Sequence, residues 1–190
     1  IEWSHDKALG GIWDLNGNVT EWTGGIRAVY GEIQVLADNN AADNNHSQGA
    51  GATTWKAIDA TTGEFITPDE LGTTANSIKA DAESGITYST TITNTSVSFS
   101  AVFGDIKADG SISEAAKKTL IEYGLFPDDA QFDYEEDRVY FNNKASERLF
   151  SSGGNYAYTA DAGVFCANVS NGPRTNASAG IGFRSAYAPL

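Results

Sequence analysis

The 190-residue chain has a single cysteine, Cys166, and no methionine. One thiol excludes an internal disulfide and any cysteine-rich zinc site. Cations are scarce: 12 Lys and Arg stand against 25 Asp and Glu, giving a net charge of −13 and a pI near 4.3. Phosphate binding needs a basic face, so this charge balance argues against nucleic acid as a partner and against an anionic bilayer. No apolar run approaches the roughly 20 residues that a bilayer crossing takes, and no secretion-signal pattern opens the sequence, so no membrane insertion is expected. The first residue is Ile1 rather than Met, as in a partial or processed product. The length suits one domain with a real core.

A second absence is local. Residues 151–190 contain no Lys, Glu, Gln, Trp or Met. The preceding 150 residues carry 25 of the first four types, so about six or seven are expected here. What remains is the set of amino acids encoded by codons ending in a pyrimidine. Randomising Asn codons at their two adenines writes this composition, and so does a Gly- and Ser-rich loop. Within the segment, blocks of fixed appearance bracket two polar stretches, Tyr156 to Asp161 and Cys166 to Gly180. Tyr, Ser, Asn and Gly recur in them, the chemistry of an antibody paratope: stiff aromatic contact area with adaptable hydrogen bonding. A passive Gly/Ser coat is the alternative.

Before that segment, Trp3, Trp13 and Trp22 read as core anchors. Asp14-Leu-Asn-Gly-Asn reads as a turn, and a strand begins near Val19. Ile26 to Leu36 reads as a further strand and Ala37 to Thr54 as a polar loop, in which His46 is a solvated side chain rather than a catalyst. Trp55 to Ile66 predicts a short strand pair around Thr61-Thr62-Gly63, followed by a loop over Pro68 to Asn76. Ile86 to Phe103 alternates at period two and predicts two strands joined near Asn94-Thr95, with a wet Thr/Ser face. Asp105 to Gly110 resembles part of a calcium loop, but no Glu completes the pattern, and it reads as a turn. Ser113 to Tyr123 predicts a helix capped by Ser111 or Ser113 and ended by Gly124 and Pro127. Asp128 to Asp137 reads as a solvated acidic loop. Arg138 to Phe141 reads as a strand.

Four blocks carry a family resemblance. Gly153-Gly154, Ala162-Gly163-Val164-Phe165 and Gly182-Phe183-Arg184, at these spacings, resemble the variable region of diversity-generating retroelement variable proteins. Gly11-Ile12-Trp13-Asp14-Leu15-Asn16-Gly17-Asn18-Val19-Thr20-Glu21-Trp22 resembles the motif that this family shares with formylglycine-generating enzymes, with Thr20 where the family usually has Trp. Both ends of the chain match well and the middle only loosely.

The resemblance implies an α+β, C-type lectin-type fold, with short strands, few helices and long loops, as one domain over 1–190 with 151–190 its variable region. Family members carry more chain ahead of the motif, so upstream residues, another chain or an oligomer would complete the fold. It implies Val164 and Phe165 plugging the core, Phe183 buried, and Arg184 tying down polar groups. The ligand-contacting candidates are then Tyr156, Ala157, Tyr158, Thr159, Asp161, Cys166, Asn168, Ser170, Asn171, Thr175, Asn176 and Ser178. Their partner would be a protein or glycan receptor on a target cell, met by a phage tail tip or a cell surface.

Two other classes share the resemblance. The related oxidases need a cysteine pair, whereas Cys166 is alone and distant in sequence from His5 and His46, so an enzyme is not expected. A calcium-dependent sugar-binding lectin would carry Glu-Pro-Asn or Gln-Pro-Asp, which is absent. In the related enzymes the N-terminal motif binds calcium. The matching positions are Asp14 and Glu21 by side chain and Gly17 and Val19 by carbonyl, a set that does not complete a calcium shell. The same acids serve equally as turn caps and cation partners, and no cofactor is expected.

Overall fold

The computed structural model describes residues 8, 17–38, 40–128, 134, 136–170 and 172–183. Trp3, Trp13, Asp14, Asn171 and Arg184 lie outside them. The first described strand, β1 (Thr20–Val29), turns into β2 (Glu32–Leu36) through Tyr30 and Gly31. Both turn residues have positive φ, 47° and 85°. That is the geometry of a two-residue hairpin turn whose twist matches the strands. Ile26 to Leu36 is therefore two strands, not one. Tyr30 hid the turn, because this turn ordinarily calls for Asn, Asp or Gly.

Ten more strands follow: β3 (Trp55–Ile58), β4 (Phe65–Ile66), β5 (Lys79–Asp81), β6 (Thr87–Ser89), β7 (Phe99–Val102), β8 (Lys107–Ala108), β9 (Arg138–Phe141), β10 (Arg148–Ser152), β11 (Ala167–Val169) and β12 (Ile181–Gly182). With α1 (Glu114–Glu122), the one α-helix among the described residues, they make a mixed, sheet-rich domain compatible with an α+β fold. The sheet runs β7-β9-β11-β10-β1-β2-β5-β6-β8, with β12 on β1, and β3 on β2 and β4. β11 is a central strand, antiparallel to β10 and parallel to β9. Along its other edge β1 meets β12 at Thr20–Glu21 and then β2 from Ile26 onward.

A bulge between Thr23 and Arg27 separates these two halves of β1. Gly25 makes it possible: its φ is +77°, and a Cβ there would come 2.6 Å from the Ala41 methyl. The strands predicted within Ile86 to Phe103 exist as β6 and β7 but do not pair with each other. β6 pairs with β5 and β8, and β7 with β9. Nor is the Thr/Ser face of β6 wet, since Thr87 and Ser89 are both buried. Period two fixes which residues share a face, not which strand lies alongside.

The core gathers Ile33, Val35, Ile58, Ile78, Tyr88, Leu120, Phe141, Phe150 and Val169. Helix α1 closes it with Ala116 and Leu120. Ser113 caps the helix by accepting from the Ala116 N–H at 3.1 Å. Gly124, at φ +66°, ends it. Trp55 is buried while Trp22 is only half-buried, which corrects the choice of Trp22 as a core anchor. Trp22 sits in the stretch of β1 before the bulge, where the strand is only partly covered.

All five residues of β2 are buried, including Glu32 and Gln34. Buried polar groups need partners, and here they form a chain. Arg27 donates from Nε to Gln34 Oε1 at 2.8 Å and from a terminal nitrogen to Glu147 Oε1 at 2.8 Å and the Ala50 carbonyl at 2.7 Å. Its guanidinium lies over the Trp55 ring, 4.4 Å from the centroid. Gln34 passes a hydrogen bond to Glu32 (2.7 Å), whose other oxygen accepts from Ser77 (2.7 Å). Lys79 donates to Ser77 Oγ at 2.7 Å. At the far end Arg174 grips both oxygens of Glu147 at 2.8 Å.

Burial pushes both Arg27 and Lys79 below their ordinary pKa, with nearby carboxylates only partly offsetting it. Burial alone would raise Glu147. The hydrogen bonds from Arg174 and Arg27, with their charges, outweigh it and hold the carboxyl below its ordinary value of 4.5. A depressed acid stabilises the fold above its unfolded pKa, and that contribution is lost as pH falls through the lower folded value. Glu147→Gln should therefore cost about 2–3 kcal/mol at pH 7, below the range for fully buried pairs because Glu147 keeps some water contact. The difference from the parent should shrink as pH drops below 4.5, read by urea denaturation across that range. A pH-independent difference would show that charge pairing is not what Glu147 supplies.

Candidate ligand-binding surface

Residues 151–183 leave β10 through Gly153, at φ +74°. They cross an exposed loop and a 3-10 turn (Thr159–Asp161), re-enter the sheet as β11, and leave again through a second loop before β12. Both loops are fastened to the start of β1. The Gly17 N–H donates to the Gly154 carbonyl at 3.0 Å, and the Tyr156 N–H donates to the Asn18 carbonyl at 3.1 Å. The Thr20 N–H and hydroxyl donate to the Gly180 carbonyl at 2.9 and 3.0 Å. Residues 17–20, leading into β1, thus hold the head of the first loop and the tail of the second. The loops also touch directly: a Cβ on Gly180 would lie 3.0 Å from Asn155 Nδ2.

The block between the loops is pinned from beneath by Asp137. Its Oδ2 accepts from the Phe165 N–H at 2.9 Å, and its carbonyl accepts from the Phe103 N–H at 2.6 Å. Any Cβ on Gly163 would overlap this carboxylate, so glycine is needed there for close approach. Phe165 stacks on Phe103 (centroids 5.1 Å apart, 24°) and meets Tyr134 edge-on at 4.9 Å. Phe165 is half-buried and packs against the edge of the core rather than plugging it. Val164 beside it is 59% exposed and plugs nothing, because Asp137 draws the backbone down and leaves that side chain outside. Phe183 is 81% exposed rather than buried: β12 is only two residues long and the chain has left the sheet by then.

The candidate contact residues divide sharply. Tyr156 is 71% exposed, and Ala157, Thr159, Thr175 and Ser178 are exposed as well. Thr159 holds φ +50°, a strained position for a β-branched residue. Tyr158, Asp161, Ser170 and Asn176 are half-buried. Asn168, expected at the surface, is 4% exposed, and Cys166 is 1% exposed. The reason is β11. Asn168 is paired with Ser151 on one side and Tyr140 on the other, and its side chain organises its surroundings. Nδ2 donates to the Tyr158 hydroxyl at 3.0 Å, while Oδ1 accepts the Ser170 N–H and hydroxyl at 2.9 and 3.0 Å. Cys166 sits beneath the Gly153 turn, its carbonyl accepting the Gly153 N–H at 2.8 Å. Burial, then the charge of Asp137, pushes its thiol up to about 11, so it stays a protonated, shielded thiol at neutral pH.

Under the first loop lies a polar-aromatic platform that the sequence did not reveal. Tyr140 on β9 faces the Tyr158 ring at 5.7 Å and donates its hydroxyl to Asp161 Oδ2 at 3.1 Å. Burial, together with that bond, pushes the Tyr140 phenol up to about 12. Arg138 pairs with Asp161 at 3.4 Å. Asp137, Arg138, Tyr140 and Glu147 all precede the segment that looked special. The run of acids around Asp137 read as a solvated loop, but Asp137 itself is buried and structural. Of the calcium set, Gly17, Val19 and Glu21 lie around the start of β1, while Asp14 is outside the described residues. Among the described residues, no three His, Cys, Asp or Glu side chains gather where one ion could sit.

Set against known proteins, the chain matches no protein-family model, and no curated protein matches it.

The geometry separates two kinds of position inside one segment. Phe165→Ala should cost about 3 kcal/mol through lost aromatic packing. Asn168→Ala should cost about 2 kcal/mol, because it strands buried polar partners. Tyr156→Ala should stay within about 0.5 kcal/mol. Chemical denaturation of the three proteins checks the order, and a Tyr156 loss as large as that of Phe165 would contradict the separation.

Proposed function

We propose that this chain is a binding protein that meets its ligand through residues 151–190, diversified as in diversity-generating retroelement variable proteins and carried on a C-type lectin-type framework. The observation that supports the reading best is the double tether. Tyr156 and Gly180 belong to stretches separated by a whole strand, yet both hang from residues 18–20, where the chain enters β1. Two loops held to one short segment present their exposed side chains side by side, as a shared contact surface requires. Tyr156 is its natural anchor, since exposed aromatics dominate binding energies. The binding surface of the candidates narrows to Tyr156, Ala157, Thr159, Thr175 and Ser178, with Tyr158, Asp161, Ser170 and Asn176 at its base. Cys166 and Asn168 belong to the support.

A buried thiol with a raised pKa favours binding over oxidase chemistry, and the reading gives no step to a metal. The partner would be a protein or glycan on a target cell, and the setting a phage tail tip or a cell surface. The DNA beside the gene tests the origin of the surface. A near-copy of the codons for 151–187, differing at adenines and lying next to a reverse transcriptase gene, is the expected finding. Binding is tested by placing Ala at Tyr156, Thr159, Thr175 and Ser178 together. The variant should lose about tenfold or more in affinity for the receptor that the parent captures, while its stability moves by no more than about 0.5 kcal/mol per site. Full affinity in the variant would place the ligand site elsewhere.

A further inference from the structure

A second open groove lies elsewhere, over the β1–β2 turn and the loops that follow β4 and β6. Its volume is about 820 Å³, within the range of small-ligand sites. Tyr30, Leu71 and Ile92 supply apolar wall. In a chain of net charge −13, the groove is lined by two lysines, Lys79 and Lys144, and by no carboxylate.

Tyr30 is the residue that needs explaining. It occupies the first central position of a turn with positive φ at both central residues. Asn, Asp or Gly suits that position, and a bulky aromatic is strained in it. The Tyr30 N–H is nevertheless fixed to the Ala145 carbonyl at 2.8 Å, and its side chain is left exposed at the groove. Strained residues of this kind concentrate at ligand sites, where the side chain is worth more than the turn it weakens.

The remaining polar groups limit what fits. Asn143 is spent on Ser96, Ala80 and Asn94, and Thr74 on Glu32 and Asp69. Lys79 is spent on Ser77, Thr74 and Thr90. Thr91 and Thr95 are exposed, and so is Lys144. Among the described residues, no hydrogen bond or ion pair engages their side chains. A flat apolar body with one acidic group finds what it needs: the Tyr30 face, the Leu71 and Ile92 side chains, and the Lys144 ammonium.

We propose that this groove binds a small planar organic anion of the aryl carboxylate class, stacked on Tyr30 and paired with Lys144. The test uses 2-naphthoate and its neutral amide, titrated into the protein and followed by amide chemical shifts. The carboxylate should shift residues of the groove and bind about threefold to fivefold more tightly than the amide, the size of one exposed ion pair. Lys144→Gln should abolish that preference. Tyr30→Asn is the decisive variant, because Asn suits the turn. It should melt at or above the parent temperature and still lose binding of both compounds. Absence of saturable binding, equal affinity for carboxylate and amide, or unchanged affinity in Tyr30→Asn would each overturn the proposal.

Discussion

A guanidinium buried inside the sheet is the constraint on which the rest of the structure depends. Arg27 sits just past the bulge in β1, over Trp55, with water almost excluded. An unpaired charge there would cost several kcal/mol. Its partners therefore have to be delivered from far along the chain: Gln34 from β2, the Ala50 carbonyl from a loop, and Glu147 from the approach to β10. Meeting that demand fixes how three segments lie against β1. The chain continues through Glu32 and Ser77 to Lys79, so a second buried cation is satisfied by the same series. This explains how β2 can be buried along its whole length while carrying Glu and Gln.

The same pairing reaches the candidate binding surface. Glu147 holds Arg27 with one oxygen and shares both with Arg174, which lies in the second exposed loop. That loop is thus fixed at one end by an ion pair to the sheet interior and at the other by Thr20. The first loop is fixed by Asn18 above and by the Tyr158–Tyr140–Asp161 contacts below. Asp137 and Phe165 hold the block between them. With its backbone secured at so many points, such a surface can change its outward side chains without changing its shape. Pre-organisation of this kind also lowers the ordering cost of binding.

How much of this was legible in the sequence depends on the distance over which each feature is decided. The helix over Glu114–Glu122, its Ser113 cap, its Gly124 stop and the β3–β4 pair around Gly63 are set by neighbours in the chain, and they appear where the pattern puts them. The pairing of β6 and β7 is set by other strands and could not be read. The candidate surface shows the same division. The composition of 151–190 sets that segment apart from the rest of the chain. It did not distinguish Asn168, which a central strand buries, from Thr175, which a loop exposes. Arg184, expected to tie down polar groups, lies outside the described residues; that Arg174 grips Glu147 shows only in the fold. Asp137 stayed hidden in a run of acids that looked like solvated surface. Tyr30 was visible only as a break in a rule, and only once the turn was seen.

The central claim is that display and support are separable within one forty-residue segment. Two libraries test it, both made with pyrimidine-ending codons and sorted for protease resistance on a cell surface. One varies Tyr156, Ala157, Thr159, Thr175 and Ser178. The other varies five supporting positions, Ser151, Gly163, Phe165, Asn168 and Val169. The account predicts that most members of the first library stay resistant and that nearly all members of the second are lost. Equal survival of the two libraries, or collapse of the first, would contradict it.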